Sequence, residues 1–456
     1  LEQRSDYELG EHEEVIGYHL EQALRCRLAL EPAARERHRD LAARGADHLG
    51  AAGRSALARD DMPAAVNLLE RATALLPDDD PFHGSLLPEL GSALTESGRL
   101  ADAERVLDAA VDAAAGRDDA LALAHATVAR LFLRLQVSTE DGTGELRERF
   151  DPLLETFTAA DDDLGLGRLW RLRGLVHWIE AQSAKADAAW EHAVEHSRRA
   201  EDERGWSDAL SWLASSAYTG PMHVDAAITR CESIRSQLGS YGRAQALVLD
   251  HLAAIRAMKG DVTAARRLIL DSKAILSELG SSMHTAVSHS EAFVALTSGD
   301  TAGAEATLRT GYDRLMDMGE RALLADTAAM LAQVLCQQGR TEDAWAFTRE
   351  AEDAASEDDL SAQVVWRGVR GRLLAQAGRI REAKRLSAHA VELAARTDWL
   401  TDHADALIAH AEVLRLACET EEAARAIQQA IALYDRKGNT VGMRRAQSLL
   451  AAQVPA

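Results

Sequence analysis

The sequence contains few aromatic residues and few prolines. Phe, Trp and Tyr make up 4% of its 456 residues and Pro occurs 8 times, although hydrophobic residues reach 47%. Its apolar content is mostly Ala and Leu, which favour helices, and not the β-branched and aromatic residues that favour strands. This composition predicts an all-α fold.

Cysteine is also scarce, and its positions exclude a metal-binding arrangement. The four cysteines, Cys26, Cys231, Cys336 and Cys418, are far apart and form no CxxC or Cys/His spacing. We interpret them as small apolar residues of a protein in the reducing cytoplasm.

Positive charge and long apolar runs are lacking as well. Lys and Arg number 51 against 73 Asp and Glu, so the formal net charge is -22. A surface this acidic repels a phosphate backbone, which excludes nucleic acid as the expected partner. No run of eighteen apolar residues occurs, so no membrane span is predicted.

The motifs of common catalytic centres are missing. No Gly-Lys dipeptide occurs, so there is no phosphate-binding loop of the Walker A type. His192 and His196 are four residues apart on one predicted helix, but no third metal ligand accompanies them. The sequence therefore predicts a protein that is not an enzyme and that needs no metal or cofactor.

An internal repeat is the strongest positive feature. A small residue, here called the lead, is followed by Ala at +12, by a mostly bulky residue at +16 and by a mostly small one at +19. Leads fall 38 to 41 residues apart, apart from one gap. Nine units obey this rule, with leads at Gly53, Gly91, Gly174, Ser215, Ala253, Ala292, Ala332, Gly371 and Ala411.

A second mark lies seven residues after the lead, where five units have Gly. These are Gly98, Gly260, Gly299, Gly339 and Gly378. Gly followed by polar residues is typical of a helix that ends in a left-handed residue and restarts after a turn. The unit is therefore predicted to be a pair of antiparallel helices, with small residues at the crossing.

This pattern resembles the tetratricopeptide repeat (TPR), although the family repeat has 34 residues and this one about 39. The resemblance implies a right-handed α-α superhelix, a TPR-like solenoid of about ten antiparallel helix pairs over residues 32–440. Residues 1–31 are predicted to be an N-terminal helix, and 441–456 a C-terminal capping helix.

One repeat is degenerate. Leads Gly91 and Gly174 are 83 residues apart, which leaves room for a further unit led by Ala129. We expect its helices near 118–136 and 145–160, with a loop over 137–145 between them. This irregular region is a candidate hinge.

Four stretches, 13–25, 54–77, 318–340 and 432–450, resemble a particular group of multidomain proteins. Members join a class III adenylate/guanylate cyclase domain, an AAA-type ATPase and a TPR array. The resemblance implies a non-catalytic sensor or scaffold arm that binds a protein segment or small effector and acts on an ATPase or cyclase module in cis.

The resemblance also bears on the ends of the chain. In that group a similar helix follows the ATPase module, so residues 1–31 are expected to be its tail. Because the chain begins at Leu1, we expect it to be the C-terminal part of a larger protein. The sensing arm of a LuxR-type transcriptional activator and a free-standing adaptor remain alternatives, and the oligomeric state stays open.

The TPR resemblance also identifies candidate binding residues. In that family the first helix of each unit lines a concave groove. The residues that face the groove lie at offsets of -6, -3, +1, +4 and +5 from the lead. Applied here, those offsets select Arg168, Arg171, Trp178, Trp212, Asp250, Met258, His289 and Phe293. Aromatic and Arg side chains on a concave surface are typical binding anchors.

Overall fold

The structure, a computed structural model, describes residues 9–31, 36–239, 242–279 and 289–452. These residues form 22 α-helices, one short 3-10 helix at Glu36–His38 and no strand. In chain order the α-helices are α1 Leu9–Leu30, α2 Arg39–Ala58, α3 Met62–Leu75, α4 Pro81–Glu96, α5 Leu100–Gly116, α6 Ala120–Val137, α7 Thr139–Ala159, α8 Asp163–Ile179, α9 Ser183–Arg199, α10 Glu203–Thr219, α11 Val224–Leu238, α12 Gly242–Met258, α13 Val262–Leu279, α14 His289–Thr297, α15 Thr301–Met318, α16 Ala322–Gln337, α17 Thr341–Ala354, α18 Leu360–Gln376, α19 Ile380–Ala394, α20 Leu400–Leu416, α21 Thr420–Lys437 and α22 Thr440–Ala451.

The helices from α2 to α21 form ten consecutive pairs joined by short turns. The lead of every unit lies in the first helix of a pair, and the Ala at +12 lies in the second. The predicted all-α solenoid of about ten antiparallel helix pairs is therefore confirmed.

Close contact between the lead and the residue at +16 holds each pair together. A Cβ placed on Gly53 would lie 2.8 Å from Leu69, one on Gly91 2.4 Å from Leu107, and one on Gly174 2.2 Å from Trp190. All three partners are fully buried. Where the lead is Gly, the bulky residue thus occupies the space of a missing side chain, and the helices approach closely.

The turn between paired helices has a left-handed residue at +7, as predicted. Each of the five glycines at this position has a φ between 75° and 87°. Three units without Gly place Asp60, Ala181 and Cys418 there, with φ between 51° and 61°. Eight of the nine units thus have this conformation, three of them against the preference of the side chain, and the exception is the unit led by Ser215, with Met222 at +7.

One expectation from the sequence is wrong. The stretch 137–145 is not a loop, because α7 begins at Thr139 and only Ser138 separates it from α6. Of the cysteines, Cys231 and Cys336 are buried, whereas Cys26 and Cys418 are exposed.

Helix α6 is the one helix in the described residues that is long and apolar enough to cross a membrane. Its mean hydropathy is 1.3, and 39% of its residues are buried in the protein. Leu131, Leu133 and Leu135 belong to the core, and the helix also contains Arg130 and Arg134. These features are typical of a core helix.

The chain divides into two compact units. Unit 1 comprises the described residues of 1–133 and 151–165, and unit 2 those of 134–150, 166–278 and 284–456. The division falls within α6, α7 and α8, the region where the repeat pattern fails. A hinge there remains a prediction, as do the predicted boundaries at 31 and 440.

The first and last helices pack on their neighbours within these units. In unit 1, α1 contacts α2, where a Cβ on Gly17 would lie 2.8 Å from Leu49. In unit 2, α22 covers the last pair with Ala446 and with the half-buried Met443 and Leu449. Both helices thus extend the packing of the pairs beside them.

The contact at the lead makes a testable prediction about stability. Gly91→Ala would force its new methyl group against Leu107, so we expect a loss of about 1–3 kcal/mol in the free energy of unfolding. Urea denaturation would measure it. The control is Gly116→Ala, because nothing lies within 4 Å of a Cβ at that position. The control should be neutral or slightly stabilising, and equal effects of the two changes would contradict the packing argument.

Candidate functional site

Unit 2 contains a cavity of about 410 Å³ on the side formed by the first helices of its pairs. Its wall comes from α8, α10, α12, α14, α16, α18 and α20, with further residues from α22 and from Trp399 just before α20. The volume lies in the range of sites for small molecules, or for one or two side chains of a protein segment.

Carboxylates outnumber positive groups on this wall. Asp326, Asp402, Asp405 and Glu412 line the cavity together with Arg372 and Arg445. Arg445 pairs with Asp405 at 2.8 Å, and Arg372 pairs with Glu412 at 2.5 Å. Both guanidinium groups are thus already matched.

The other two carboxylates have no ion-pair partner among the described residues. Burial, together with the negative charges of Asp405 and Asp326, raises the pKa of Asp402 to about 7. Burial also raises the pKa of Asp326 to about 6, although Ser361 donates a hydrogen bond to it. Ionising either carboxylate is unfavourable in this site.

Histidines do not compensate this negative charge. His289 lines the cavity, and its Nε2 lies 2.7 Å from the Thr327 hydroxyl, which donates to the carbonyl of Leu323. Burial lowers the pKa of His289 to about 4, and that of His251 on α12 likewise to about 4. Both imidazoles are therefore neutral at physiological pH.

Aromatic rings form another part of the wall. Trp178, Tyr218, Phe293 and Trp399 all line the cavity. The rings of Trp178 and Trp399 are 5.3 Å apart, and those of Tyr218 and Phe293 are 6.0 Å apart. The site therefore combines an apolar surface with carboxylates.

Besides the Nε of Arg372, which is ion-paired with Glu412, two polar atoms on the wall lack a hydrogen-bond partner among the described residues. They are the Nε1 of Trp178 and the hydroxyl of Thr401. Thr401 is only 7% exposed. Because a buried polar group without a partner costs free energy, these two atoms mark a place where a ligand would be stabilising.

Long-range contacts within unit 2 close the cavity. The carboxylate of Asp398 accepts hydrogen bonds from the backbone N–H of Ser183 and Ala184, both at 2.8 Å. The indole of Trp399 donates to the hydroxyl of Ser183 at 2.9 Å. The residue before α20 thus caps the start of α9, 215 positions earlier in the chain.

A buried lysine makes a second closing contact. The Nζ of Lys437, at the end of α21, donates to the carbonyls of Ala217 and Gly220 at the end of α10, at 3.0 and 2.6 Å. A cation at a helix C-terminus is favourable because it offsets the negative end of the helix dipole. Burial nevertheless lowers the pKa of Lys437 to about 8.

Half of the binding residues predicted from the sequence line the cavity. Trp178, Met258, His289 and Phe293 are on its wall. Asp250 is close to it, because its charge acts on Tyr218 and Ser290 donates a hydrogen bond to it.

The other three predicted residues are not on the cavity wall. Trp212 packs between Trp178 and Trp190, with ring centroids 5.7 and 5.4 Å away. Arg171 pairs with Asp208 at 2.9 Å. Arg168 is half-buried near the start of α8. Their role in binding remains a prediction.

The sequence interpretation missed the acidic half of the site. The same offsets, continued into the units led by Ala332, Gly371 and Ala411, include six polar residues that line the cavity: Asp326, Gln333, Gln337, Arg372, Asp405 and Glu412. Other residues at these offsets, such as Cys336 and Arg415, do not line it. Asp402 and Trp399 lie outside the offsets, because they precede the family's groove positions. Only the closure of unit 2 brings them to the cavity.

The described residues contain no group of three or more His, Cys, Asp or Glu side chains that could hold a metal ion. His192 and His196, the spaced pair that lacks a third ligand in the sequence, have other neighbours. His192 stacks on Trp170 at 4.6 Å, and His196 lies 2.6 Å from the guanidinium of Arg199.

Comparison with solved structures supports the fold. A Rap protein complexed with competence and sporulation factor aligns with a TM-score of 0.57 at 15% identity, over 83% of this chain and all of its own. The apo form of RapI aligns with a TM-score of 0.43 at 12% identity, over 77% of this chain and 98% of its own. The apo quorum sensor NprR from B. thuringiensis aligns with a TM-score of 0.38 at 12% identity, over 58% of this chain and 79% of its own. No protein-family model and no curated protein matches the chain.

At this identity the likeness to the Rap protein concerns the fold alone. With the helix pairs and their leads, it identifies the chain as a TPR-type helical-repeat array.

The raised pKa of Asp402 predicts how stability depends on pH. Between about pH 4 and pH 7 Asp402 holds a proton in the folded protein but not in the unfolded chain, so its own contribution to stability falls as the pH rises through this range. We expect Asp402→Asn to be more stable than wild type by about 1–2 kcal/mol at about pH 8, and little changed at about pH 4. Urea unfolding at the two pH values measures this, and the same difference at both would contradict it.

The contact of Asp398 with the start of α9 can be tested by comparison with an aspartate that caps only its own helix. Asp398→Ala removes acceptors for the start of α9, whereas Asp300→Ala removes a cap from its own helix, where Asp300 accepts from Gly303 at 2.8 Å. Each change should cost about 1 kcal/mol of stability. Only Asp398→Ala should raise hydrogen exchange at the starts of both α9 and α20. An effect of Asp398→Ala that is confined to α20 would show that the closure does not depend on this contact.

Proposed function

We propose that the chain is a non-catalytic sensor arm that binds a small effector or a protein segment in the cavity of unit 2. The observation that carries this proposal is the set of unfavourable groups on the cavity wall. Asp402 and Asp326 are ionised at a cost, and Thr401 and Trp178 have unpartnered polar atoms. Groups that lower the stability of the free protein, and that make no compensating contact within it, are typical of binding sites.

The composition of the cavity wall is also typical of a binding site. Its wall is mostly apolar and aromatic, with a few polar groups that converge from several helices. Such a wall gives affinity through burial and orientation through its polar groups. The one hydroxyl described beside an imidazole, that of Thr327, donates to the carbonyl of Leu323 and not to His289, so it is not arranged as an activated nucleophile.

The partner of this arm in the cell is a further part of the proposal. Sequence resemblance favours an ATPase or nucleotide cyclase module in cis, in the cytoplasm, which the arm would regulate. The sensing arm of a transcriptional activator and a free-standing adaptor are the alternatives. The reading frame upstream of Leu1 decides: an ATPase or cyclase supports the first, and a helix-turn-helix domain elsewhere in the gene product supports the second.

Tryptophan variants test the cavity as the binding site. Short peptides and small polar metabolites of every charge type would be screened by thermal shift, and hits measured by isothermal titration calorimetry. We expect a saturable ligand whose Kd rises by about ten-fold or more in Trp178→Ala, since truncating a buried aromatic anchor removes about 1.4 kcal/mol or more.

Trp170→Ala is the matched control. Trp170 lies on the same helix α8 and packs against Phe150 and His192, outside the cavity. It should lose stability without a change in ligand affinity, and Trp212→Ala should mainly lose stability because Trp212 packs behind Trp178. The proposal would be overturned if no ligand in the screen depended on Trp178, or if Trp170→Ala weakened binding equally.

A further inference from the structure

The charges on the cavity wall indicate which kind of ligand it accepts. Arg445 and Arg372 are each paired with a carboxylate, whereas Asp326 and Asp402 have no ion-pair partner among the described residues. An anionic ligand would meet guanidinium groups whose positive charge is already offset by Glu412 and Asp405. It would also approach two further carboxylates, which is unfavourable in a poorly solvated site.

The nearest buried cation does not neutralise these carboxylates. Lys437 acts on Asp402 through its charge, but its Nζ is held by the carbonyls of Ala217 and Gly220. His289 and His251 are neutral for the reason given above. Negative charge on the wall is therefore left without a direct counter-charge.

A second, independent observation concerns Thr401, which directly precedes Asp402. Its side chain is 93% buried, lines the cavity, and its hydroxyl has no hydrogen-bond partner among the described residues. A hydroxyl oxygen beside a carboxylate can accept an N–H bond from a ligand. Trp178, Trp399 and Tyr218 add aromatic faces, which attract cations as well as apolar groups.

We propose that the cavity of unit 2 binds a cationic group, an ammonium or a guanidinium, joined to an apolar moiety, with Asp326 and Asp402 as its counter-ions. The proposal rests on the proposed function and names the ligand class for the same site. The cation pairs with the two carboxylates and donates to the Thr401 hydroxyl. Its apolar part packs on the rings of Trp178 and Trp399.

Proton release follows from this arrangement. Asp402 faces the carboxylates of Asp405 and Asp326, the ammonium of Lys437 and the phenol of Tyr218. A bound cation favours the ionised form of Asp402 and Asp326 and so lowers their pKa from the raised values of the free protein. Affinity should therefore increase as the pH rises from about 5 to about 8, and binding near pH 6 should release protons.

The test uses three probes of similar size and different charge: phenethylammonium, phenethyl alcohol and phenylpropionate. Isothermal titration calorimetry with the full chain should give phenethylammonium a Kd about ten-fold or more below those of the other two. Titrations in two buffers of different ionisation enthalpy should show proton release near pH 6 for the ammonium alone.

Carboxylate variants locate the site. Asp326→Asn and Asp402→Asn, singly and together, should abolish the preference for the ammonium and the proton release. Asp271→Asn, which removes an exposed carboxylate on α13, is the matched control and should change neither. Near-ultraviolet circular dichroism and cooperative unfolding would show that each variant is folded, and the Asp402 variant is expected to gain stability above neutral pH.

Three outcomes would overturn the cationic class. They are equal binding of phenethyl alcohol, tighter binding of phenylpropionate, and no saturable binding of phenethylammonium. In the first two cases, binding that Trp178→Ala abolishes would leave the proposed function standing with another ligand class. If phenethylammonium does not bind saturably, the proposed function is tested separately by the thermal-shift screen of peptides and metabolites.

Discussion

The close contact between a small lead and the bulky residue sixteen positions later is the constraint on which the rest of unit 2 depends. At Gly174 the partner is Trp190, whose indole occupies the position of a missing Cβ and donates to the carbonyl of Arg171 at 3.2 Å. Because this contact fixes α8 against α9, it also fixes Trp178, one turn beyond the lead, on the cavity wall. The regular repeat of the helix pairs aligns the first helices so that residues at the same offset share one surface.

This constraint explains how much of the fold could be predicted from the sequence. Lead, partner and turn residue lie within about twenty positions, so one local pattern determines them and recurs in the sequence. The pattern even sets the backbone where its usual residue is replaced, as at Cys418. The closure of unit 2 is different, because Asp398 and Ser183 are far apart in the chain and neither is unusual in its own unit. The start of α7 at Thr139 was missed for a local reason: Gly142 and Gly144 indicate a turn, and tertiary packing overrides that preference.

The candidate site was predictable to a similar degree. Trp178, Met258, His289 and Phe293, which the offsets from the lead select, all line the cavity, and the same rule, continued, selects Asp326, Arg372 and Glu412. Their role in binding remains a prediction. This rule cannot give the pKa of Asp402, which depends on burial and on carboxylates contributed by α16 and by the next turn of α20. The offset rule also cannot tell that Trp178 lines the cavity whereas Trp212 does not. Both lie on groove offsets, but Trp212 is held behind Trp178 by the Trp190 ring.

Closure and binding are physically coupled in such a cavity. Its wall combines Trp178 and Tyr218 from the early pairs of unit 2 with Trp399 and Asp402 from the last pair, and the capping bonds of Asp398 and Lys437 join the same two regions. A ligand that contacts both regions binds the closed form better than an open one, and therefore shifts the equilibrium towards closure by its differential affinity. Asp326 and Asp402 lie on α16 and α20, whereas Trp178 lies on α8. A ligand whose cation pairs with the two carboxylates and whose apolar part packs on Trp178 would contact both regions. A cationic effector would thus be a source of closing free energy, and this is the property that a sensor arm needs in order to act on another module.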